Sequence, residues 1–286
     1  ARGTRRHGSC GVGFNETIER NLRPEFRLDV AMLRAPARVR ERLEAIRIAY
    51  LPERLATLGL EPESRARELL QSPQLPAAFL EACTRFLQRV EVVSDAQALG
   101  SFEHVVFEGA QGLLLDEDHP WFPHVTRSKT GLKNVVSLMR EAGLLNLKAV
   151  YATRWYMTRH GAGPFPSEVA VKPSAAIVDR TNLPNPWQGS LRFGLLDVEG
   201  LRGAIGTDLG HAKDLEVEAV LALTCLDQMG GTAEFLVEGA SRLAVNPFSA
   251  ADQLAERSGL ETAFTAWGPT RSDVRTHTRE CGAKAS

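Results

Sequence analysis

From Phe107 to Thr130 the chain reads FEGAQGLLLDEDHPWFPHVTRSKT, a dense run of groups suited to holding a polar ligand. Gln111 sits between small residues, Gly109-Ala110 and Gly112, after an apolar run. An amide there can address a base edge or a ribose. A buried glutamine without a partner would cost about 1–3 kcal/mol, so it needs one. The competing reading, a glutamine capping a neighbouring strand or helix, stays open from the loop alone. Asp116, Asp118 and His119 follow, as metal-type donors or as a solvated acidic turn. Thr126, Ser128, Lys129 and Lys133 then precede a helical pattern, and hydroxyls and ammonium groups near a helix start suit a phosphate. An ordinary capped helix explains the same residues.

Three more loops carry candidate chemistry. Thr158 to Pro166, TRHGAGPFP, is stiffened by two glycines and two prolines, with Arg159 at its base as an anion ligand or a structural ion-pair partner. Thr224-Cys225-Leu226-Asp227 resembles the T/N-K-x-D stretch of guanine-binding proteins, whose aspartate accepts two hydrogen bonds from the base. Cysteine replaces the lysine that would pack on that base. A strand-end aspartate capping the next helix is the plainer alternative. Trp267-Gly268-Pro269-Thr270-Arg271 is a turn able to close over a base.

These loops require elements to position them. Residues 16–93 carry apolar positions at three- and four-residue spacing, broken by Pro and Gly, which predicts a helical subdomain. Residues 94–286 alternate. The runs 104–109, 147–154, 218–227 and 261–268 read as strands, with helical patterns near 134–142, 196–208 and 249–259. That alternation predicts an α/β class with a mostly parallel sheet and ligand loops at strand carboxyl ends. A Gly-rich segment, His7 to Gly13, opens the chain.

Composition narrows the function. With 43% apolar and 24% charged residues and a net charge of −1, the 286-residue chain gives no electrostatic case for nucleic acid or a membrane as partner. Cys10, Cys83, Cys225 and Cys281 form no CxxC pair, which argues against zinc and suits a reducing, cytoplasmic setting.

Taken in order, HGSCGVG, FEGAQG…D.DH…P.VT, TR.GAGPFP.E, LR.G.LD, T.LD and GP.R resemble the successive motifs of adenylosuccinate synthetases. The resemblance implies one domain over 1–286, with an α/β fold on a large central sheet. It further implies a homodimer and a Mg²⁺- and GTP-dependent ligation of L-aspartate to IMP in purine (AMP) biosynthesis. By that resemblance Gly8, Ser9, Gln111, Thr126 and Arg20 hold the substrate nucleotide, Arg20 across a dimer contact. Arg192 meets the aspartate carboxylate, and Asp227, Trp267 and Gly268 surround the purine of GTP. An adjacent family arginine is Ser190 here. The family's GDEGKGK-type phosphate loop, with the catalytic base, acid and Mg²⁺ ligands, matches nothing in these residues. GSCGVG lacks the Lys-Ser/Thr ending such a loop needs. The expectation is therefore a C-terminal portion of a synthetase, inactive as given, with no metal or catalytic residue of its own and Gln111 supporting. Two variants accompany it: a related ligase making a 2-aminopurine product from (d)GMP, and a non-catalytic nucleotide-binding remnant.

Overall fold

The computed structural model describes residues 12–179, 181–238 and 241–277. The chain divides into two compact units, one mostly helical and ending at Val105, the other running from Val106 onward.

The first unit contains helices α1 (Phe14–Asn21), α2 (Pro36–Ala45), α3 (Leu51–Leu58), α4 (Ser64–Gln71), α5 (Gln74–Leu87) and α6 (Asp95–Gly100). Between α2 and α3 lies a π-helical turn, Ile46–Tyr50, just ahead of Pro52. Proline has no N–H to give the preceding turn, and a widened turn is how a continuing helix absorbs that loss. Gly59 at φ 62° then ends α3 in the left-handed conformation that glycine adopts without strain. Phe26, Val39, Tyr50 and Cys83 are buried in this unit, and the Phe26 and Tyr50 rings lie 5.3 Å apart. Arg54 ties α3 to α1 through a two-pronged bond to Glu16, at 2.7 and 2.8 Å.

The second unit holds α7 (Leu132–Ala142), β1 (Asn146–Arg154), β2 (Tyr156–Arg159), β3 (Glu168–Val169), β4 (Arg192–Asp197), α8 (Val198–Leu209), β5 (Glu216–Thr224), β6 (Ala233–Val237), β7 (Ser241–Val245), α9 (Ala250–Ser258), β8 (Thr262–Ala266) and β9 (Val274–Thr276). One ladder runs β1-β5-β8-β9; its first three strands are parallel, and β9 turns back antiparallel on β8. The other runs β2-β4-β6-β7, with β3 also on β4. The chain crosses from one ladder to the other at Trp155, which is fully buried with Leu221, Leu223, Leu226 and Phe235. The fold is thus mixed α/β with parallel strands at its centre.

Several expectations need correcting. Residues 104–109, read as a buried strand, form none; Val106 is 90% exposed. Apolar β-branched residues favour a strand only when a neighbour accepts the ladder bonds, and among the described residues 104–109 has no such neighbour. The strand over 262–266 is not the last, because β9 follows it. Leu196 and Asp197, read as the start of a helix, end β4 instead. Asp197 is the helix N-cap, its carboxylate accepting from Gly200 N–H at 2.9 Å. Strands β2, β3, β6 and β7 were missed because their pairings are mostly antiparallel and short, with weak alternation.

Candidate functional site

The carboxyl ends of β1, β5 and β8 lie on one edge of a parallel ladder, where the register matches Arg154 with Thr224 and Leu223 with Thr265. Crevices of that kind are where open α/β sheets hold ligands. Past the end of β5, Cys225 takes φ 62°, a left-handed conformation rare for a residue with a side chain. Its carbonyl accepts the Trp155 indole N–H at 2.8 Å, which holds this turn against the core. Asp227 then falls in the short turn Leu226–Gln228, exposed and with no hydrogen-bond partner among the described residues. It caps no helix, so the plainer alternative for this aspartate is not realised.

At the end of β8, Trp267 is half-buried and its backbone N–H bonds Asp273 O at 2.9 Å. Gly268 is close-packed: a Cβ there would lie 2.6 Å from an Asp273 carboxylate oxygen. That oxygen accepts from Thr270 N–H and O–H at 2.9 and 2.6 Å, and these bonds hold the Asp273 carboxyl below its usual range. The turn is therefore rigid, and glycine is required at 268.

The 107–130 loop folds back on itself. Thr126 N–H donates to Leu115 O at 2.8 Å and Glu117 N–H to Ser128 O at 3.1 Å. The Asp116 carboxylate accepts from Thr130 N–H at 2.7 Å and from Asp118 N–H at 3.0 Å. Gln111 lies exposed in this loop, so the argument from a buried unpaired amide does not apply to it. Its amide bonds no described group and is free to take a ligand. Nothing described bonds the Thr126 hydroxyl either.

The cations expected to cradle a phosphate are already paired. Lys129 reaches Asp118 at 2.6 Å and Glu117 at 3.1 Å, and Lys133 also bonds Asp118. Helix α7 is capped from another element: Asp208, 6% exposed, accepts Leu132 N–H at 2.8 Å and the Tyr151 hydroxyl at 2.9 Å. The capped-helix reading holds for this start. Bonding to Lys129 and then Lys133 holds the Asp118 carboxyl at about 2, against an ordinary 3.8. A depressed folded value means that this pairing is intact above the ordinary range and is lost as pH falls through about 2. Titration of the Asp118 carboxyl by NMR is expected to place its midpoint well below that of an exposed aspartate, and an ordinary midpoint would show that the lysines do not engage it.

Arg159 is 7% exposed and meets no carboxylate among the described residues. One nitrogen donates to His124 O at 2.5 Å and Ala162 O at 3.1 Å, while Nε is buried with no partner among the described residues. Burial, and then the neighbouring Arg192 charge, push its pKa down. Arg192 is bound two-pronged to Glu168 through Nε, at 2.7 Å, and Nη2, and donates to Gly163 O at 3.0 Å. Two of its nitrogens thus serve Glu168, and the third serves the glycine-proline loop. Arg20 lies on α1 in the helical unit, where it bonds Asn21 at 3.0 Å and burial lowers its pKa. Gly8 and Ser9 lie outside the described residues.

Sequence reasoning missed Asp208, Tyr151, Trp155 and Thr265. None stands in a motif, and only the pairing of distant segments gives them roles. The acidic residues of the loop do not offer an open oxygen set for a divalent cation, since Asp116 and Asp118 are engaged by backbone N–H groups and lysines. Among the described residues no three His, Cys, Asp or Glu side chains are placed to hold a metal ion together, and no helix is long and apolar enough to cross a membrane.

Comparison with known proteins adds a family match. A family model described as adenylosuccinate synthetase covers residues 1–279. An adenylosuccinate synthetase from a Synechococcus strain is 31% identical over 234 residues, which is 80% of this chain and 50% of that protein. The one from Parasynechococcus marenigrum is 28% identical over 281 residues, 96% of this chain and 61% of that protein. The chain therefore spans about half to three-fifths of these relatives' length. In fold it is similar to a fully ligated adenylosuccinate synthetase from Plasmodium falciparum, with a TM-score of 0.71 at 14% identity, over 97% of this chain and 72% of that one.

Proposed function

Since the chain belongs to the adenylosuccinate synthetase family, a family of ligases, we propose that it serves the ligation of L-aspartate to IMP driven by GTP, supplying nucleotide-holding groups. The observation that carries this reading is Asp227: an exposed, unbonded carboxylate at the end of β5, beside the rigid Trp267-Gly268 turn at the end of β8. A carboxylate so placed accepts the paired N–H donors of a guanine edge, and hydrogen bonds with an ionised acceptor are stronger than those between neutral groups.

In the proposed reaction a phosphoryl group passes from GTP to the 6-oxygen of IMP, and the aspartate amine then displaces phosphate. Gln111 and Thr126 offer the free amide and hydroxyl for IMP, with Gly8, Ser9 and Arg20 as further contacts, Arg20 from a second copy in a homodimer. Arg192 meets the aspartate carboxylate while keeping its bond to Glu168. When bound, Mg²⁺ would neutralise charge on the transferring phosphoryl group. The carboxylates Asp116 and Asp118, engaged by backbone N–H groups and lysines, do not fit it. What this chain's residues do is bind and orient. A cytoplasmic site of action follows from the same reading.

Cys225 in place of a lysine, and Ser190 in place of an arginine, favour one rival: a ligase aminating (d)GMP with ATP as donor. Calorimetric titration of the chain with IMP, dGMP, GTP and ATP separates the two. IMP and GTP binding is the expected result, and dGMP with ATP binding alone would replace the proposal by its rival. Gln111→Ala is expected to weaken IMP binding roughly fivefold or more, the loss of a net hydrogen bond of about 1 kcal/mol, with an unchanged melting temperature. Unaltered IMP affinity would remove Gln111 from the site.

A further inference from the structure

Phe248 is 79% exposed, yet its ring centroid lies 5.4 Å from that of Trp267 with the planes 36° apart. Such an exposed aromatic ring held against a second ring calls for an account. Its presentation is built: the Asn246 side chain accepts from Phe248 N–H at 2.9 Å and from Ser249 N–H at 3.0 Å, closing a turn immediately ahead of α9. Trp267 is oriented as firmly. Its indole N–H donates to the Thr265 hydroxyl at 3.2 Å, and that hydroxyl is 2.9 Å from His277 Nε2. Arg275, paired with Thr265 across β8 and β9, lies 4.7 Å from the Trp267 ring centroid.

Asp227 ends the neighbouring parallel strand on the same edge. It can read a base, but Cys225, standing where a longer side chain would pack on that base, is too short to do so, and its carbonyl is held by the buried Trp155. We infer that Phe248 and Trp267 form the stacking platform for the purine of the donor nucleotide, with Phe248 presenting the open face and Arg275 adding positive charge beside it. Stacking uses the π-face common to all purines, whereas Asp227 reads the edge that distinguishes guanine from adenine. Purine class and purine identity are thereby divided between two parts of the chain: 248 and 267 on one side, 227 on the other. The inference rests on the nucleotide-ligase reading above and assigns to Phe248 a role that no motif carries.

The test is titration of the full 286-residue chain with GTP, ATP and CTP, read by calorimetry and by quenching of tryptophan fluorescence. Phe248→Ala is expected to weaken GTP and ATP alike by roughly tenfold, since a base on an aromatic ring is lost, and to leave IMP affinity unchanged. Phe248→Tyr, which keeps the ring, should retain affinity. Asp227→Asn should weaken GTP and spare ATP. Because Phe248 is so exposed, its replacement leaves folding intact, which thermal melting checks. If the wild-type chain binds purine triphosphates and Phe248→Ala binds them equally well, the platform is wrong and the ligase reading stands. If the wild type binds no purine triphosphate, both fall together.

Discussion

Replacing Trp155 with alanine is expected to lower the unfolding free energy of the α/β unit by about 3–5 kcal/mol, the range for deleting a large buried aromatic. Trp155 is wholly inaccessible and sits where the chain passes between the two ladders, packed with Leu221, Leu223 and Phe235. Its effect reaches the site as well. The indole N–H is the donor to Cys225 O, and Cys225 holds the left-handed conformation that sets up the Asp227 turn. Trp155→Phe separates the two contributions. It keeps most of the packing, leaves the half-buried Cys225 carbonyl without its donor, and should cost about 1–2 kcal/mol. GTP affinity should fall in Trp155→Phe by more than ATP affinity, because the misplaced group is the one proposed to read guanine. Denaturant unfolding followed by titration reads both quantities. A Trp155→Phe protein of near wild-type stability and unchanged GTP affinity would show that the Cys225 turn holds itself.

The second large effect is expected at Asp208. Its carboxylate, 6% exposed, is the acceptor for both Leu132 N–H and the Tyr151 hydroxyl, and joins α7, α8 and β1. Burial, and then the nearby carboxylate, push the Tyr151 phenol well up, so its proton stays in place to donate. Asp208→Leu leaves the buried Leu132 N–H and the half-buried Tyr151 hydroxyl without an acceptor, at about 1–3 kcal/mol each, for a loss of roughly 2–6 kcal/mol. The same geometry constrains position 131, where a Cβ would stand 2.0 Å from an Asp208 oxygen. Gly131→Ala should therefore cost about 1–3 kcal/mol by overpacking in the wild type. Much less should be lost in an Asp208→Ala background, where the offending oxygen is gone. Additive losses in that double-mutant cycle would refute the contact.

These two sites show where sequence reading stops. The helical spacing of 16–93 and the apolar runs over 147–154, 218–227 and 261–268 were legible because period and side-chain type report burial on one face, although β5 ends at Thr224 and β8 at Ala266. The loops after Arg159 and at Asp227 and Gly268 were legible as strand-end loops, because glycine, proline and a few polar types mark such ends, whereas the Gln111 loop follows no strand. Segment 104–109 looked like its neighbours in the sequence and is exposed. Its apolar residues state a preference for a ladder, but a ladder needs a second strand that local sequence cannot name.

What the residues along the chain determined by themselves was therefore the α/β class, the family and the strand-end loops where ligands are to be sought. Tertiary structure alone decided which polar groups are free and which are spent. Among the described residues Gln111 and Asp227 have no hydrogen-bond partner, whereas Lys129, Lys133 and Arg192 are engaged by carboxylates. It also brought Asp208 to the start of α7, 76 residues away, and Phe248 onto Trp267. The physical reason is that propensity and pattern act over a few residues, while hydrogen-bond satisfaction and ring contact are settled between segments that meet only when the core closes.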